Sequence, residues 1–437
     1  MRHKDSHLAG WGNRPQIQAR LHKPRSFSEL TDSVETLASA LPIGNLRSYG
    51  DSALFEEVVD LKGNNLMLGF DQTTGVLEVQ AGCLLMDILS VFVPRGWFVA
   101  VSPGTRLITV GGAIASDVHG KNHHQAGCFS DCVESLQLLL PDGSTKECSH
   151  SQEAELFHAT CGGQGLTGIV LSARIRLQRI GSSRLRQTTF KTSNLQETFQ
   201  IFEEQADADY SVAWIDCLKS GDELGRAHVS IGEFGTDENY DYAPSHALSL
   251  PIFLPGFVLN GLSMKVFNQL YYHRQRAPEK TADINLDSFF YPLDSVGNWN
   301  RAYGKQGFVQ YQFVLPLENS YSGMQSILSK IALSGRASFL AVLKLHGPEN
   351  ANWLSFPLEG YSLALDFKWH SSLPALLDAL DQEVVKFGGR IYLAKDSRVP
   401  KSVFEKGYPD IDRFRELRKD YGMDKKFNSL QSLRLHL

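Results

Sequence analysis

The chain has 437 residues, of which 42% are hydrophobic and 21% charged, and its formal net charge is −5. At about 150 residues per domain this length predicts two or three domains, and the apolar share excludes extended disorder. A pI near 6.3 excludes nucleic acid as a main partner, because a phosphate backbone needs a basic face.

The first ten residues contain no apolar run of the kind a secretory leader needs. The six cysteines form no CxxC pair and read as reduced thiols of a cytoplasmic protein. Ser26-Phe27-Ser28-Glu29 has capping-box spacing and predicts a helix to about Ala40. The loop Gly44-Asn45-Leu46-Arg47-Ser48-Tyr49-Gly50-Asp51-Ser52 follows. Its backbone N–H groups and Arg47 suit an anion. Val76–Val79 reads as a strand, Leu84–Arg95 as a helix stopped by Gly96, and Trp97–Val101 as another strand.

Two glycine-rich segments come next. Pro103-Gly104-Thr105 and Thr109-Val110-Gly111-Gly112-Ala113-Ile114-Ala115-Ser116 let backbone approach a flat or diphosphate ligand. Asp117-Val118-His119-Gly120-Lys121-Asn122-His123-His124 then gathers three histidines and a lysine. With no HExxH and no CxxC, this cluster points to ligand binding rather than metal. Leu136–Leu140 is a strand, Asp142-Gly143 a hairpin turn, and Glu153–Thr160 a short helix. Gly163-Gln164-Gly165-Leu166-Thr167-Gly168 spells GxGxxG, but a helix precedes it and the strand Ile169–Leu177 follows. That order is the reverse of a dinucleotide fingerprint and predicts a turn.

From Leu185 to Phe387 the strands Phe308–Leu315, Phe339–Leu345 and Tyr361–Phe367 mix with the helix Leu373–Phe387, which suggests an α+β unit. Ala247–Met264 holds 18 uncharged residues, with Pro251, Pro255, Gly256 and Gly261 breaking any spanning helix. It reads either as a buried irregular segment or as an apolar flap against lipid. The tail from Arg390, read as one strand and one charged helix, is too short for its own core.

The order GNLRSYGDS, PGTRLITVGGAIASDVHGKNHH, GGQGLTGIV and IYLAKDSR resembles the FAD-dependent oxidases of the vanillyl-alcohol-oxidase superfamily. Within it, the chain is most similar to the branch that oxidises polyprenylphosphoryl ribose. Trp214-Ile215-Asp216, Trp299–Gly304, Gln310–Val314 and Lys344–Pro348 extend the likeness over nearly the whole chain. The resemblance implies an α+β, two-domain flavoprotein. A PCMH-type FAD-binding domain of two α/β subdomains (1–183 plus 388–437) would carry an inserted substrate domain (184–387) built on a β-sheet.

It further implies FAD, held non-covalently, along Gly44, Arg47, Ser48, Tyr49, Gly50, Asp51, Ser52, Gly104, Thr105, Thr109, Val110, Gly111, Gly112, Ser116, Asp117, Val118, His119, Asn122, Val170 and Tyr392. Lys395 and His119 are the catalytic candidates, with Tyr49 orienting either. Read alone, Lys395 suits a surface ion pair with Asp396 equally well. Substrate contacts fall to Lys121, Trp214, Tyr291, Gln310, Gln312, Lys344, Ser362, Ala364 and Lys395. Trp214 serves equally as an ordinary core aromatic. Ala364 stands where mycobacterial members carry cysteine, so thiol-directed inhibitors lose their nucleophile. Ser362 stands where the family has an amide.

The implied reaction converts the 2′-hydroxyl of a lipid-linked phosphopentose to a ketone. It is the first half of an epimerisation that a separate short-chain NAD(P)H reductase would complete. The expected location is cytoplasmic, with peripheral contact to the inner membrane through 247–264. The alternatives are an aldonolactone or alditol oxidase on the same fold, and a non-catalytic flavin-binding protein.

Overall fold

A computed structural model describes residues 3–244, 248–255, 258–336, 338 and 340–437. Strands β1 (His3–Ala9) and β2 (Gln16–His22) form an antiparallel hairpin. β3 (Leu41–Ile43) and β4 (Glu57–Asp60) extend it in parallel, in the order β1-β2-β4-β3. The intervening helix is Phe27–Thr36, capped by Ser26, whose side chain accepts from the Glu29 N–H. Only half of the capping box forms, because the Glu29 carboxylate accepts from the Arg25 N–H instead. The helix ends before Ala40, since Leu37 is already extended on its way into β3.

The second sheet contains β5 (Met67–Asp71), β6 (Val76–Gln80), β7 (Trp97–Val99), β8 (Val133–Leu139), β9 (Thr145–Cys148) and β10 (Ile169–Arg179). Its order is β5-β6-β10-β8-β9, with β7 on the end of β10. The glycine-rich run before β10 is a turn, with positive φ at Gly162, Gln164, Gly165 and Gly168. A helix, Ala154–Thr160, precedes it, so no helix N-terminus faces a ligand there.

The third sheet is antiparallel and built from β11 (Arg184–Thr192), β12 (Tyr210–Ile215) and β13 (Ala227–Phe234) with later strands. β14 (Leu248–Ser249) stands apart, pairing in parallel with β16 (Val296–Gly297). The remaining members are β15 (Glu279–Asn285), β17 (Phe308–Pro316), β18 (Ala341–His346), β19 (Gly360–Lys368) and β20 (Arg390–Ile391). The order is β15-β11-β13-β12-β18-β19-β17-β20. The expected start of β18 at Phe339 lies outside the described residues.

The tail contributes β20 to this sheet and then four short helices rather than one: Lys401–Gly407, Ile411–Asp420, Met423–Lys426 and Leu430–Leu435. Pro409 and the left-handed Gly422 (φ 66°) break what the charge pattern had run together. The tail is tied to the N-terminal half by polar contacts. Buried Arg418 donates to the Leu166 carbonyl at 3.1 Å, and Arg434 pairs with both Asp51 and Asp396 at 2.9 Å. One continuous apolar core runs from Leu8 to Leu435.

Candidate active site

All three parts of the chain border one cavity of about 570 Å³. Its first arm is made of loops and glycines. The 44–52 loop is clamped from both sides. Trp11 N–H donates to the Ser48 carbonyl at 2.7 Å, and Tyr49 N–H to the Ala394 carbonyl at 2.9 Å. Gly50 touches the tail so closely that a Cβ there would lie 1.7 Å from the Asp396 carbonyl oxygen. Opposite the loop, Thr109 caps the helix Val110–Ala115 by accepting from the Gly112 N–H. A Cβ on Gly44 would strike the Thr109 hydroxyl at 2.3 Å, whereas a Cβ on Gly104 would enter open space.

This arm fits the dinucleotide expected there. Arg47 lies 4.0 Å over the Trp11 ring, and its buried Nε has no hydrogen-bond partner among the described residues. Burial lowers its pKa, with Asp294 opposing. A cation left in this position is matched by a diphosphate. Ser48, Ser52, Gly111, Gly112, Ser116, Val118 and Val170 line the same arm, and Tyr392 closes it by donating to the Ser116 carbonyl at 2.9 Å.

The second arm has one face of the large sheet as its floor. Residues opposite one another in antiparallel strands share a face, as do residues two apart. Trp214 pairs with Val342, Val342 with Ala364, and Ala364 with Gln312. Lys344 pairs with Ser362, and Gln310 with Asp366. The period of two therefore projects residues of four strands onto one surface, above which Lys121, His119 and Lys395 also border the cavity.

The electrostatics of this floor are unusual. Burial pushes the Lys121 and Lys395 amines down to about 7, and Lys344 to about 8. The Lys344 amine has no partner among the described residues, and Lys121 donates to the Phe289 carbonyl. Lys395 stands 3.9 Å over the Tyr49 ring. A nearby carboxyl, Asp366, is pushed up to about 7 by burial and accepts from Gln310 Nε2 at 2.6 Å. Burial also holds His119 well below its ordinary value, with Lys344, His123 and Lys395 adding to the effect. Gln312 Nε2 meets His119 Nε2 at 3.0 Å, and the Nδ1 of that ring is buried with no partner among the described residues.

Several expected contacts lie behind the cavity wall instead. Asp51 is taken up by Arg434, and Gly50 is pressed against the tail. Val110 is fully buried in the core. Asp117 accepts from the Ser130 N–H, Asn352 Nδ2 and the Ser355 hydroxyl, which makes it a structural hub. Asn122 donates to the Ala100 carbonyl at 2.8 Å. The Tyr291 hydroxyl is spent on Ser102 at 2.5 Å, so that side chain frames the wall without lining it. Thr105 borders the cavity while its hydroxyl donates to Asp294 at 2.8 Å. Asp396 pairs with Arg434, which leaves Lys395 out of the neighbouring ion pair.

Three residues were missed in the sequence although signals existed. Asp366 lies two beyond Ala364 on the same strand face. Trp11 sits between two glycines, Gly10 and Gly12, both pressed against the 44–52 loop. Tyr271, on the helix Gly261–His273, packs against Trp214 at 4.6 Å between ring centroids, tilted by 52°, and lines the cavity. Among the described residues, no group of three or more His, Cys, Asp or Glu could hold a metal ion.

Residues 21–149 match the FAD binding domain family. The chain is 38% identical to decaprenylphosphoryl-β-D-ribose oxidase of Mycolicibacterium smegmatis, over 98% of this chain and 97% of that one. It is 32% identical to an uncharacterised protein of Streptomyces coelicolor, over 81% of this chain and 100% of the other. L-gulonolactone oxidase of Bos taurus is 31% identical, but over only 30% of this chain and 29% of its own.

Proposed function

The chain belongs to the family of decaprenylphosphoryl-β-D-ribose oxidase and is an FAD-dependent oxidoreductase, and from that premise we propose that it oxidises the 2′-hydroxyl of a polyprenylphosphoryl pentose to the 2′-keto sugar. The observation that carries this reading is the sheet floor. Three half-buried lysines border the cavity there beside the Asp366 carboxyl, and an anionic phosphosugar offsets that excess of positive charge. FAD, when bound, supplies the acceptor for the hydride that leaves the sugar carbon.

Lys395 is the base in this proposal. With a pKa of about 7 its amine is half neutral at neutral pH and accepts the hydroxyl proton. His119 stays neutral, with Nε2 held at the Gln312 amide, and borders the site. Gln310 donates to Asp366, and the Tyr49 ring lies beneath Lys395. Residues 1–183 with 388–437 act as the cofactor unit and 184–387 as the substrate unit; in support, the glycine-rich arm and the sheet floor come from these two stretches. The flavin is retained without a covalent bond, so acid precipitation leaves a colourless pellet. A 2′-keto product calls for a hydride-donating reductase of the short-chain type to complete an epimerisation.

A lipid carrier gives a role to the surface beside Tyr271. The helix Gly261–His273 exposes Leu262 (73%), Val266 (50%) and Leu270 (68%) at intervals of four, and Leu248 and Ile252 are exposed nearby. No acidic residue occurs between Asp241 and Glu279, whereas Lys265, Arg274 and Arg276 do. This apolar, basic face rests on an anionic membrane surface in our reading. It shifts the contact expected for 247–264 toward the following helix. Ala247, Gly256 and Phe257 lie outside the described residues, and Met264 is buried. Among the described residues no helix is long and apolar enough to cross a membrane.

The deciding experiment is anaerobic mixing of the holoenzyme with farnesylphosphoryl ribose while flavin absorbance is followed. Bleaching is expected. Bleaching by a soluble aldonolactone alone would replace the reading with the sugar-oxidase alternative.

A further inference from the structure

Behind the floor of the cavity stands a buried imidazole that the chemistry above leaves unused. His346 Nε2 lies 2.6 Å from the hydroxyl oxygen of Ser362, and Ser362 lines the cavity while His346 does not. The His346 ring is wedged edge-on between His119 and His123, at 4.9 and 4.7 Å between centroids, and its Nδ1 has no partner among the described residues. Burial keeps the ring neutral, and the neighbouring histidines and Lys344 add to that.

A neutral imidazole carries one proton, so the direction of the hydrogen bond is decided by what is left over. If Nε2 accepted from the serine, the proton would sit on Nδ1, buried with no acceptor. If Nε2 donates, only a lone pair remains, and an under-used acceptor is the less costly remainder. The donating form leaves the Ser362 hydroxyl with its own proton uncommitted, at the cavity wall. Directly across the strand pair is Lys344, whose amine is also uncommitted. One proton donor and one cation, side by side on a sheet face, are what a phosphoryl oxygen requires.

We propose that His346 is a positioning residue that fixes Ser362 as a hydrogen-bond donor, so that Ser362 and Lys344 together form the subsite for the substrate's phosphoryl group. A purely structural pair could be replaced by two apolar residues of the same shape at little loss. The inference deepens the proposed function and rests on it for the substrate class.

The test uses farnesyl phosphate, which carries the anion and the chain but no sugar to oxidise. Its dissociation constant is read from the perturbation of the flavin spectrum of the holoenzyme. His346→Phe should weaken binding about tenfold. With farnesylphosphoryl ribose, the same variant should raise KM with kcat little changed. Adding Ser362→Asn to His346→Phe should recover most of the loss, because the carboxamide brings an N–H donor that needs no histidine behind it. Ser362→Ala, which removes the hydroxyl at the wall, should match His346→Phe and serves in its place should that variant not fold. Unchanged affinity in either single variant, or a double variant no better than His346→Phe, would overturn the assignment. A wild-type enzyme that binds farnesyl phosphate but oxidises no phosphoribosyl lipid would sink the proposed function and leave this subsite standing.

Discussion

The two arms of the cavity are built by different means. The loop arm works mainly through backbone: glycines remove side chains where the chain must approach, and Arg47 supplies one fixed charge. The sheet arm works through side chains set out by strand register, with Lys344, Ser362, Ala364, Gln310 and Gln312 on one plane. A backbone site tolerates little change in shape and carries a general ligand. A register site keeps its shape while single substitutions alter what it accepts.

The contrast can be broken most sharply at Lys395, which the tail delivers to the junction of the arms. Lys395→Ala should retain the flavin absorbance and lose turnover by about 10²–10⁴-fold, the range for removing a general base. Loss of flavin instead would make Lys395 part of the backbone site. Next in size is Arg434→Met, which strands the buried carboxyls of Asp51 and Asp396. A cost of about 3 kcal/mol in unfolding free energy is expected, measured by urea denaturation, together with weaker flavin retention. A loss of stability without loss of flavin would uncouple the tail from the loop arm.

A third test is pH. Lys395 must be neutral to accept a proton, and its pKa is lowered to about 7. The rate should therefore rise with pH up to about 7 and level off above it, falling about tenfold per unit well below. A rate that falls as pH rises through 7 would mean the ammonium form is the active one. The smallest effect is expected from Ala364→Cys. The position lines the floor without a polar role, so activity should stay within about twofold. The new thiol should be the site of alkylation by a pocket-directed electrophile, read by mass spectrometry; alkylation elsewhere would place residue 364 outside the substrate's reach.

Much of this was legible in the sequence because it is local. The glycine runs, the alternation in Gln310–Gln312 and Ser362–Ala364, and the reversed order around GxGxxG are patterns within a few residues. What was not legible depends on contacts across hundreds of positions. Asp51 reads as a loop acid facing a ligand until Arg434 arrives from the far end of the chain. Asp117, next to the histidine cluster, is claimed by Asn352 and Ser355. Tyr291 is identical in type to a sugar-stacking residue, and only its bond to Ser102 reveals which way it faces. Helix ends were misjudged for the same reason: Leu37 turns outward because a strand beyond it has a partner waiting.

The contact between Gly50 and the carbonyl of Asp396 has a consequence in time. The wall of the loop arm and the Lys395 amine both wait for residues 392–396, and these are held by Arg434 through Asp396. The cofactor loop and Lys395 are therefore ordered together rather than one after the other.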